Sequence, residues 1–296
     1  MAKKEKNPPK EYYPSSLTIA GSDSSGGAGI EADLRTFNAF GVYGCAAITA
    51  ITAQNPEAVT SVDLLPGAAV AAQIDAVMAK VAVRSAKTGM LGSAENVEAV
   101  VAAIKKYKLK TVCDPVIFST SKCRLQSDDA VRKIIKELLP LGCWVTPNIP
   151  EASYILGKEL SSPKEYAAAA QELAEQLQTN VLLKGGHDDR GVNAVDYVCY
   201  KGKLYTVSAP KLQLPPCASH GTGCTMSAAM AALTALTFTW DETVLDAKAF
   251  VFGSLRENVE IGEKVFGMYP PTEDTLGFVE MKEYASTGKN KAGRRS

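Results

Sequence analysis

The sequence predicts an α/β fold in which a mostly parallel sheet is covered by helices on both faces. Apolar runs of strand length alternate with helical stretches along most of the chain, a cadence typical of parallel strands joined by crossover helices. Two further pairs of strands follow one another directly and predict antiparallel hairpins. Of the 296 residues, 46% are apolar and 22% are charged, so the chain can bury a large core.

Each element follows from a local pattern. Apolar runs of strand length lie at 17–20, 46–52, 111–113, 144–146 and 181–183. Helices are predicted over 30–40, 70–82, 95–107, 128–138, 163–177, 225–235 and 242–260. The hairpins are predicted from 42–54 with 59–65, and from 194–200 with 203–208 around the turn Lys201-Gly202. Together these elements predict one α/β domain over 16–263.

The two ends of the chain differ in composition from this domain. Residues 1–15 are rich in Lys, Glu and Pro, which predicts a flexible N-terminal tail. Residues 264–296 finish in a basic stretch with few apolar residues, and we expect this C-terminal extension to be partly disordered.

Charge and composition narrow the class of protein. Lys plus Arg and Asp plus Glu number 32 each, without the basic excess of a protein that holds nucleic acid through its phosphates. No apolar run reaches the roughly 18 residues of a membrane span. The basic start has no apolar stretch behind it, and the seven cysteines are scattered, so we expect a cytoplasmic protein with free thiols.

The first loop with the character of a ligand site follows the first strand. Gly21 to Gly29 reads GSDSSGGAG, and its glycines let a ligand approach the backbone at a helix start that favours anions. The loop also matches the dinucleotide fingerprint loosely, but the next strand ends without the acidic residue that would hold a ribose. The alternative without a ligand is a glycine-rich turn that packs a helix onto a strand.

A second loop, SHGTGCT at 219–225, immediately precedes a helix of small residues. Its Gly-x-Gly sequence would direct successive backbone N–H groups towards one point, where negative charge could develop. Cys224 would lie in the first turn of that helix, where we expect the helix dipole to lower the pKa of the thiol. A buried cysteine that packs the helix start is the alternative, and His220 alone is more often a structural hydrogen-bonding residue than a catalyst.

Three more loops end strands at the same predicted edge of the sheet. They bring Asp114, then Asn148 with Glu151, and then Lys184. Oxygen ligands together with a cation for phosphate are what a magnesium–nucleotide site needs. Asn-x-Pro-Glu alone is often only a helix cap, so the convergence of the three loops carries this prediction. The chain has no P-loop sequence.

Seven segments in order give the chain a family resemblance. They are LTIAGSDSSGGAGIEADLRTF, ITAQN, KTGMLGS, DPV, TPNIPEA, LLKGGH and SHGTGCTMSAA, between about residues 16 and 262. Together they resemble the hydroxymethylpyrimidine and phosphomethylpyrimidine kinases of thiamine synthesis, within the ribokinase-like superfamily. The resemblance implies a three-layer α/β/α sandwich with a small β flap, ATP and Mg²⁺ as cosubstrates, and a homodimer.

The resemblance also implies roles for individual residues. In the family's HGTGC motif, Gly221, Thr222, Gly223 and Cys224 would form the anion hole, and Cys224 occupies the place of the catalytic base. ATP would be bound by Lys184, Asn148 and His220, and the metal with its waters by Asp114 and Glu151 beside Asn148. The pyrimidine pocket would be lined by Gly21, Asp33, Gln54 and Met90.

Two segments depart from the family pattern. Ala218-Ser219 stands before HGTGC, where relatives usually have Asn-Thr or a similar pair. The flap reads Ser121-Lys122-Cys123-Arg124, where relatives often have Ser-Gly.

The resemblance predicts an ATP-dependent kinase that phosphorylates 4-amino-5-hydroxymethyl-2-methylpyrimidine and then its monophosphate. Two alternatives stay open: a pyridoxal kinase of the cysteine type, and a catalytically silent protein that senses pyrimidine or thiamine. Gln54 favours the pyrimidine, because its amide can pair with a ring nitrogen beside an exocyclic amine. The alternative for Gln54 is that it only satisfies backbone groups at the end of a strand.

Overall fold

The structure, a computed structural model, describes residues 12–118, 126–186, 190–215 and 217–284. Its strands are β1 Ser15–Asp23, β2 Tyr43–Gln54, β3 Val59–Leu64, β4 Ser85–Thr88, β5 Thr111–Cys113, β6 Trp144–Val145, β7 Asn180–Leu183, β8 Asn193–Tyr200, β9 Lys203–Pro210, β10 Val259–Gly262, β11 Val265–Gly267 and β12 Glu280–Glu283. Its α-helices are α1 Gly29–Ala39, α2 Gly67–Met78, α3 Ala94–Tyr107, α4 Asp128–Lys133, α5 Ile149–Leu156, α6 Pro163–Leu177, α7 Thr222–Ala235 and α8 Trp240–Arg256.

One large sheet carries the fold, with the strand order β12-β9-β8-β7-β6-β5-β4-β1-β2-β3. The central strands, from β2 through β1 and β4 to β7, pair in parallel. Both predicted hairpins are confirmed, because β2 pairs with β3 and β8 with β9 in antiparallel fashion. The parallel centre places the carboxyl ends of β1, β4, β5, β6 and β7 at one edge.

Helices cover both faces of this sheet, as predicted. One apolar cluster joins the sheet to α2, α3, α4 and α6, and a second cluster on the opposite face joins it to α1, α7 and α8. Side chains alternate along each strand, so neighbouring residues serve different layers. Leu17 and Ile19 of β1, for example, belong to the first cluster, whereas Val112 of β5 belongs to the second. The protein is therefore a three-layer α/β/α sandwich.

Strand β4 was not predicted, because its sequence SAKT lacks an apolar run. All four residues are buried, and two of the three polar ones, Ser85 and Lys87, have partners on the face of the sheet that α1 and α7 cover. Ser85 Oγ donates a hydrogen bond to the carbonyl oxygen of Ala231 in α7, and Lys87 pairs with a carboxylate from α1. Paired polar side chains thus allow a strand of polar sequence to lie in the centre of the sheet.

Several boundaries differ from the prediction. Helix α5 begins at Ile149 with Pro150 in its first turn, where only a possible cap was foreseen. The helix predicted over 128–138 is α-helical to Lys133 and continues as a π-helical turn. The C-terminal extension contains β11 and β12, and β12 pairs with β9 at the edge of the sheet. Flap residues Ser121 to Arg124 lie outside the described residues.

Within the part of the chain that the structure describes, no helix is long and apolar enough to cross a membrane.

Candidate active site

The two glycine-containing loops, after β1 and before α7, are in direct contact. Gly221 has a φ of +83°, and a Cβ atom there would overlap with the carbonyl oxygen of Gly27. A Cβ atom at Gly27 would in turn overlap with the imidazole of His220. Only glycine fits where two backbones approach so closely. The glycine spacing that loosely resembles a dinucleotide site is therefore explained by packing between these two loops.

Asp23, at the end of β1, ties these loops together. Its carboxylate accepts hydrogen bonds from the amide of Ser25 (2.9 Å), the Ser25 hydroxyl (2.7 Å) and the amide of Ala28 (2.8 Å). The same carboxylate lies 2.9 Å from Nε2 of His220. Burial alone would raise the pKa of Asp23, but these hydrogen bonds lower it to about 2. The sequence analysis did not single out this residue, although Asp is a common residue in such turns.

Cys224 lies in the first turn of α7, as predicted, but its pKa is shifted in the opposite direction from the expected one. Burial raises the pKa of the thiol above its ordinary value. Lys87 and a hydrogen bond from the Gly29 backbone act against this increase without cancelling it. The helix start was expected to dominate, but desolvation outweighs it. The free protein therefore holds Cys224 as a thiol at neutral pH.

Asp33 is fully buried beneath Cys224 and is committed to other protein groups. Its carboxylate pairs with Lys87 Nζ at 2.8 Å and accepts a hydrogen bond from the Thr18 hydroxyl at 2.6 Å. Burial alone would lower the pKa of Lys87, but the attraction of Asp33 raises it, so the lysine stays charged. Expected in the pyrimidine pocket, Asp33 instead holds a cation that interacts electrostatically with Cys224.

Asp114 and Lys184 meet at the N-terminus of α7. Lys184 Nζ lies 2.9 Å from Asp114 Oδ1, and the Ser227 hydroxyl lies 3.2 Å from Asp114 Oδ2. A Cβ atom at Gly223 would lie 3.2 Å from Lys184 Nζ, so the ammonium group lies against the Gly221–Cys224 segment. Burial would lower the pKa of Lys184, but Asp114 and other nearby anions raise it. Asp114 and Lys184, which follow different strands, thus lie close together at one edge of the sheet, as expected.

Asn148 and Glu151 form a capping box at the start of α5. Asn148 Oδ1 accepts from the Glu151 amide, and Glu151 Oε2 accepts from the Asn148 amide, both at 2.9 Å. The other Glu151 oxygen accepts from the Ile117 amide at 3.0 Å. Burial raises the pKa of Glu151 to about 7, an increase that Lys184 opposes and Asp114 reinforces. The capping role and the position at the site therefore coexist, because Asn148 forms a bridge with Lys184 on the adjoining strand end.

The remaining expected residues meet at the end formed by β1 and β2. A Cβ atom at Gly21 would lie 3.5 Å from Met90 Sδ, so these two residues form one wall. The backbone of Gln54 exchanges two hydrogen bonds with the Ser24 hydroxyl, at 2.8 and 2.9 Å. The side-chain amide of Gln54 lies 3.1 Å from Nε2 of His220. His220 was expected at ATP, but both of its side-chain partners, Asp23 and Gln54, lie at the β1–β2 end.

Chemically, the site combines a neutral thiol with the N-terminus of a helix and two lysines, each of which is paired with a carboxylate. The first-turn amides of α7, including those of Gly223 and Cys224, lack intrahelical acceptors and carry the positive end of the helix dipole. Lys184 and Lys87 lie on either side and both interact electrostatically with Cys224. The sequence analysis missed Lys87 and Ser227. Ser227 lies one helical turn after Gly223 and could have been found from that spacing.

Residues 23–269 of the chain match the protein family described as phosphomethylpyrimidine kinase. A hydroxymethylpyrimidine/phosphomethylpyrimidine kinase of Rhizobium meliloti is 41% identical over 250 residues, which are 83% of this chain and 93% of the relative. A crystal structure of phosphomethylpyrimidine kinase from Clostridium difficile has 39% identity and a TM-score of 0.70, covering 80% of this chain and 97% of that one. Pyridoxal kinase from Staphylococcus aureus, in complex with AMP-PCP and pyridoxal, has 30% identity and a TM-score of 0.81, covering 92% and 100%.

Proposed function

This chain belongs to the phosphomethylpyrimidine kinase family, and from that premise we propose a reaction and a role for each residue of its active site. The protein is a kinase of thiamine biosynthesis that uses ATP and a small pyrimidine substrate. We propose that it phosphorylates the hydroxymethyl group of 4-amino-5-hydroxymethyl-2-methylpyrimidine, and then the monophosphate to the pyrophosphate. The observation that carries this proposal is the meeting of Cys224, Lys184 and Asp114 at the N-terminus of α7.

The nucleotide is proposed to bind at the ends of β6 and β7. Lys184 would contact the phosphates as a point charge, with Asn148 beside it. The transferred phosphoryl group would lie over the first turn of α7, where the amides of Gly221 to Cys224 stabilise negative charge. The substrate hydroxyl oxygen then bonds to the γ-phosphorus while the bond to the β-phosphate oxygen breaks, and ADP leaves.

Cys224 would take the proton of the attacking hydroxyl. The raised pKa of this thiol means that the thiolate is a minor species in the free protein at neutral pH. Phosphoryl transfer passes through a loose transition state, so proton transfer matters less than position and charge. The ammonium of Lys87, held by Asp33, supplies a positive charge for the thiolate. We therefore assign Asp33 a role through Lys87 rather than a contact with the pyrimidine.

Mg²⁺ is proposed to arrive with the nucleotide. Protein-bound Mg²⁺ commonly uses one or two carboxylates, several waters and the substrate phosphates, and it would supply charge neutralisation. Among the described residues no group of three acidic, histidine or cysteine side chains is placed to hold a metal. The two carboxylates Asp114 and Glu151 suit an ion held mainly by phosphate and water. Glu151→Gln should then move the Mg²⁺ dependence of turnover to higher concentration, and an unaltered Mg²⁺ titration would remove Glu151 from this role.

We also propose that the protein is a homodimer formed through the β2–β3 hairpin. Strand β3 is an edge strand with nearly every residue exposed. Its Val62 and Leu64 and the neighbouring Ile51 of β2 leave apolar surface uncovered. An exposed apolar edge strand commonly needs a partner. Light scattering should give twice the chain mass for the wild type, and the chain mass for Val62→Lys; a monomeric wild type would refute this.

Formation of ADP by the purified protein tests the proposed function. We expect turnover with the hydroxymethyl pyrimidine and with its monophosphate, and much less with pyridoxal. The similarity to pyridoxal kinase makes that vitamin the necessary comparison. Faster turnover of pyridoxal would assign the protein to that activity instead. Binding of the pyrimidine without any ADP formation would indicate a sensing protein.

A further inference from the structure

His220 faces two partners through a single ring nitrogen. Its Nε2 lies 2.9 Å from Asp23 Oδ2 and 3.1 Å from the atom placed as Gln54 Nε2. An imidazole nitrogen carries either a proton or a lone pair, so it either donates or accepts. A carboxylate oxygen only accepts, whereas an amide nitrogen only donates. The two contacts therefore cannot both be hydrogen bonds with the side chains oriented in this way.

Asp23 decides which of the two contacts is the hydrogen bond. Its pKa of about 2 keeps it ionised, and three further donors from Ser25 and Ala28 point at its oxygens. A lone pair on His220 Nε2 would face this negative charge at 2.9 Å. The nitrogen must therefore carry a proton and donate it to Asp23. The Gln54 atom that faces the same N–H must then be an acceptor, which is the carbonyl oxygen.

Thr52 supports the same orientation independently. Its hydroxyl donates a hydrogen bond to the Ser22 carbonyl oxygen at 2.8 Å, so its only proton is used. The Thr52 oxygen also lies 3.4 Å from the atom placed as Gln54 Oε1. Two acceptors would face each other there, whereas a Gln54 N–H in that place would donate to Thr52. One rotation of the Gln54 amide by 180° satisfies both His220 and Thr52, and amide orientation is properly assigned from such networks.

We infer that Asp23 and His220 are positioning residues that fix the orientation of the Gln54 amide and thereby select the substrate. The chain of contacts runs from Asp23 through the His220 Nε2–H to Gln54 Oε1, with Gln54 Nε2 donating to Thr52. The inference deepens the proposed function, because it rests on Gln54 pairing with the pyrimidine. It also gives His220 a role on the substrate side of the site.

The fixed amide has a defined order of donor and acceptor. The second N–H of Gln54 is left for a ring nitrogen, and the second lone pair of Oε1 is left for an exocyclic amine. An aminopyrimidine offers this acceptor and donor side by side. In its phenolate form pyridoxal offers two acceptors at that position, the phenolate oxygen and the aldehyde oxygen, so the contact with Gln54 Oε1 lacks a proton. Without His220 the amide could rotate to suit either ligand, and the discrimination would weaken.

The tautomer of His220 tests the inference directly and without any substrate. The chain has only two histidines, His187 and His220, so nitrogen NMR of the wild type and of His220→Phe assigns the imidazole signals. We expect the neutral ring of His220 to carry its proton on Nε2. A neutral ring with its proton on Nδ1 and an unprotonated Nε2 would overturn the inference, because Nε2 would then accept from Gln54.

Kinetics of His220→Phe test the consequence for selectivity. Phenylalanine keeps a ring over Gly27 and removes the N–H, and circular dichroism checks that the variant is folded. We expect kcat/KM for the aminopyrimidine to fall about 5–150-fold, the range for one lost polar pairing, with the KM for ATP unchanged. Turnover of pyridoxal should fall much less, so the preference for the pyrimidine narrows.

The double variant separates positioning from an independent role. If His220 acts only through Gln54, then His220→Phe combined with Gln54→Met should lose no more than Gln54→Met alone. Losses that multiply, or a raised KM for ATP with an unchanged KM for the pyrimidine, would overturn the inference. A protonated Nε2 in a protein that fails to phosphorylate any pyrimidine would instead refute the proposed function and leave the amide orientation standing.

Discussion

Two buried carboxyl groups stand at opposite ends of the active site, and their pKa values are shifted in opposite directions. Asp23, at the β1–β2 end, has a pKa of about 2, whereas Glu151, at the β6–β7 end, has one of about 7. Both side chains are almost fully buried. Asp23 receives four hydrogen-bond donors, whereas Glu151 receives two and lies near another carboxylate, Asp114.

The difference has two causes: Glu151 lies deeper in the protein than Asp23 and so loses more solvation, and Asp23 receives more hydrogen-bond donors whereas Glu151 lies near Asp114. Asp23 carries a permanent charge, which suits a group that must hold a hydrogen-bond orientation unchanged. The pKa of Glu151 lies close to neutral pH, which suits a group whose charge changes when a nucleotide and its cation bind. The β1–β2 end is thus a fixed hydrogen-bonding surface, and the β6–β7 end is an electrostatically responsive one.

The largest effect is expected between these two ends, at Cys224. Cys224→Ala keeps the backbone amides of the proposed anion hole and removes only the thiol that we propose as the proton acceptor. We expect kcat to fall roughly 10²–10⁴-fold while the KM values for both substrates change little. Steady-state kinetics of ADP formation measure this.

A distant thiol provides the control for that experiment. Cys143 donates a hydrogen bond to the Thr111 carbonyl oxygen at the opposite edge of the sheet, and Cys143→Ser keeps a donor there. Its kcat should equal that of the wild type. A kcat near the wild-type value in Cys224→Ala would show that Cys224 is a packing residue and not the base that accepts the proton.

Lys184→Met tests whether the β6–β7 end of the site binds the nucleotide. This change removes the charge proposed for the ATP phosphates and leaves Asp114 without its cation. We expect kcat/KM for ATP to fall about 10²–10³-fold, the typical loss for one group that stabilises developing charge. The KM for the pyrimidine should change little, and initial rates at varied ATP concentration give both values.

Lys248→Met is the matched control for Lys184→Met. Lys248 pairs with the buried Asp196 at 2.7 Å, so its loss also strands a buried aspartate. Both variants should lose stability to a similar extent, as chemical denaturation would report. Equal losses of ATP use in the two variants would show that Lys184 acts through the fold rather than on the nucleotide.

At the β1–β2 end, Gln54→Met removes the amide that we propose pairs with the pyrimidine. The polar edge of the bound substrate would lose its partner, at a cost of about 1–3 kcal/mol or roughly 5–150-fold in kcat/KM. Pyridoxal turnover should fall much less, or rise. Competing the two substrates in one assay measures the ratio, with the exposed Gln171→Met as the control. Equal losses for both substrates would show that Gln54 does not discriminate.

The smallest expected effects are on the free energy of unfolding, where the contributions of Asp23 and Glu151 can be compared directly. Because the folded pKa of Asp23 is lowered, its stabilising contribution is present above about pH 4 and lost as the pH falls towards 2. Because the folded pKa of Glu151 is raised, its contribution is present below about pH 4.5 and lost as the pH rises through 7. The two contributions therefore change in opposite directions with pH.

Urea denaturation of Asp23→Asn and Glu151→Gln between pH 3 and 8 checks these signs. The free energy of unfolding that Asp23→Asn loses should shrink below pH 4, by about 1 kcal/mol at pH 3. The difference between wild type and Glu151→Gln should shrink instead as the pH rises from 4.5 to 7. Parallel pH profiles for both variants would contradict the opposed shifts.

The sheet was predictable from sequence wherever burial leaves an apolar signature. Strands β5, β6 and β7 are buried on both faces and appear as apolar runs, and the two hairpins were predictable because their strands follow one another directly. Strand β4 was missed because Ser85 and Lys87 are buried with partners on distant elements. A buried lysine in a central strand needs a carboxylate beside it. Asp33 is that partner, but it lies 54 residues away in the sequence and could not be identified from the sequence near Lys87.

The candidate site shows the same division. Asp114, Asn148, Glu151 and Lys184 were identified because a parallel sheet places its strand ends at one edge, and residue type then suggests chemistry. Asp23 and the placement of His220 were not identified, because they depend on how two loops far apart in the chain pack together. The pKa of Cys224 was expected in the wrong direction because the helix start is visible in sequence, whereas desolvation is a property of the folded surroundings.

The contact between Gly27 and Gly221 has a consequence for how each ligand affects the affinity for the other. One loop borders the proposed pyrimidine pocket and the other forms the proposed anion hole, and no space separates their backbones. A ligand that displaces either loop must move the other, so the two binding equilibria are thermodynamically linked. Linkage is reciprocal: whatever factor the nucleotide imposes on pyrimidine affinity, the pyrimidine imposes on nucleotide affinity. A side chain at either glycine would separate the loops and convert one cooperative ligand-binding unit into two independent ones.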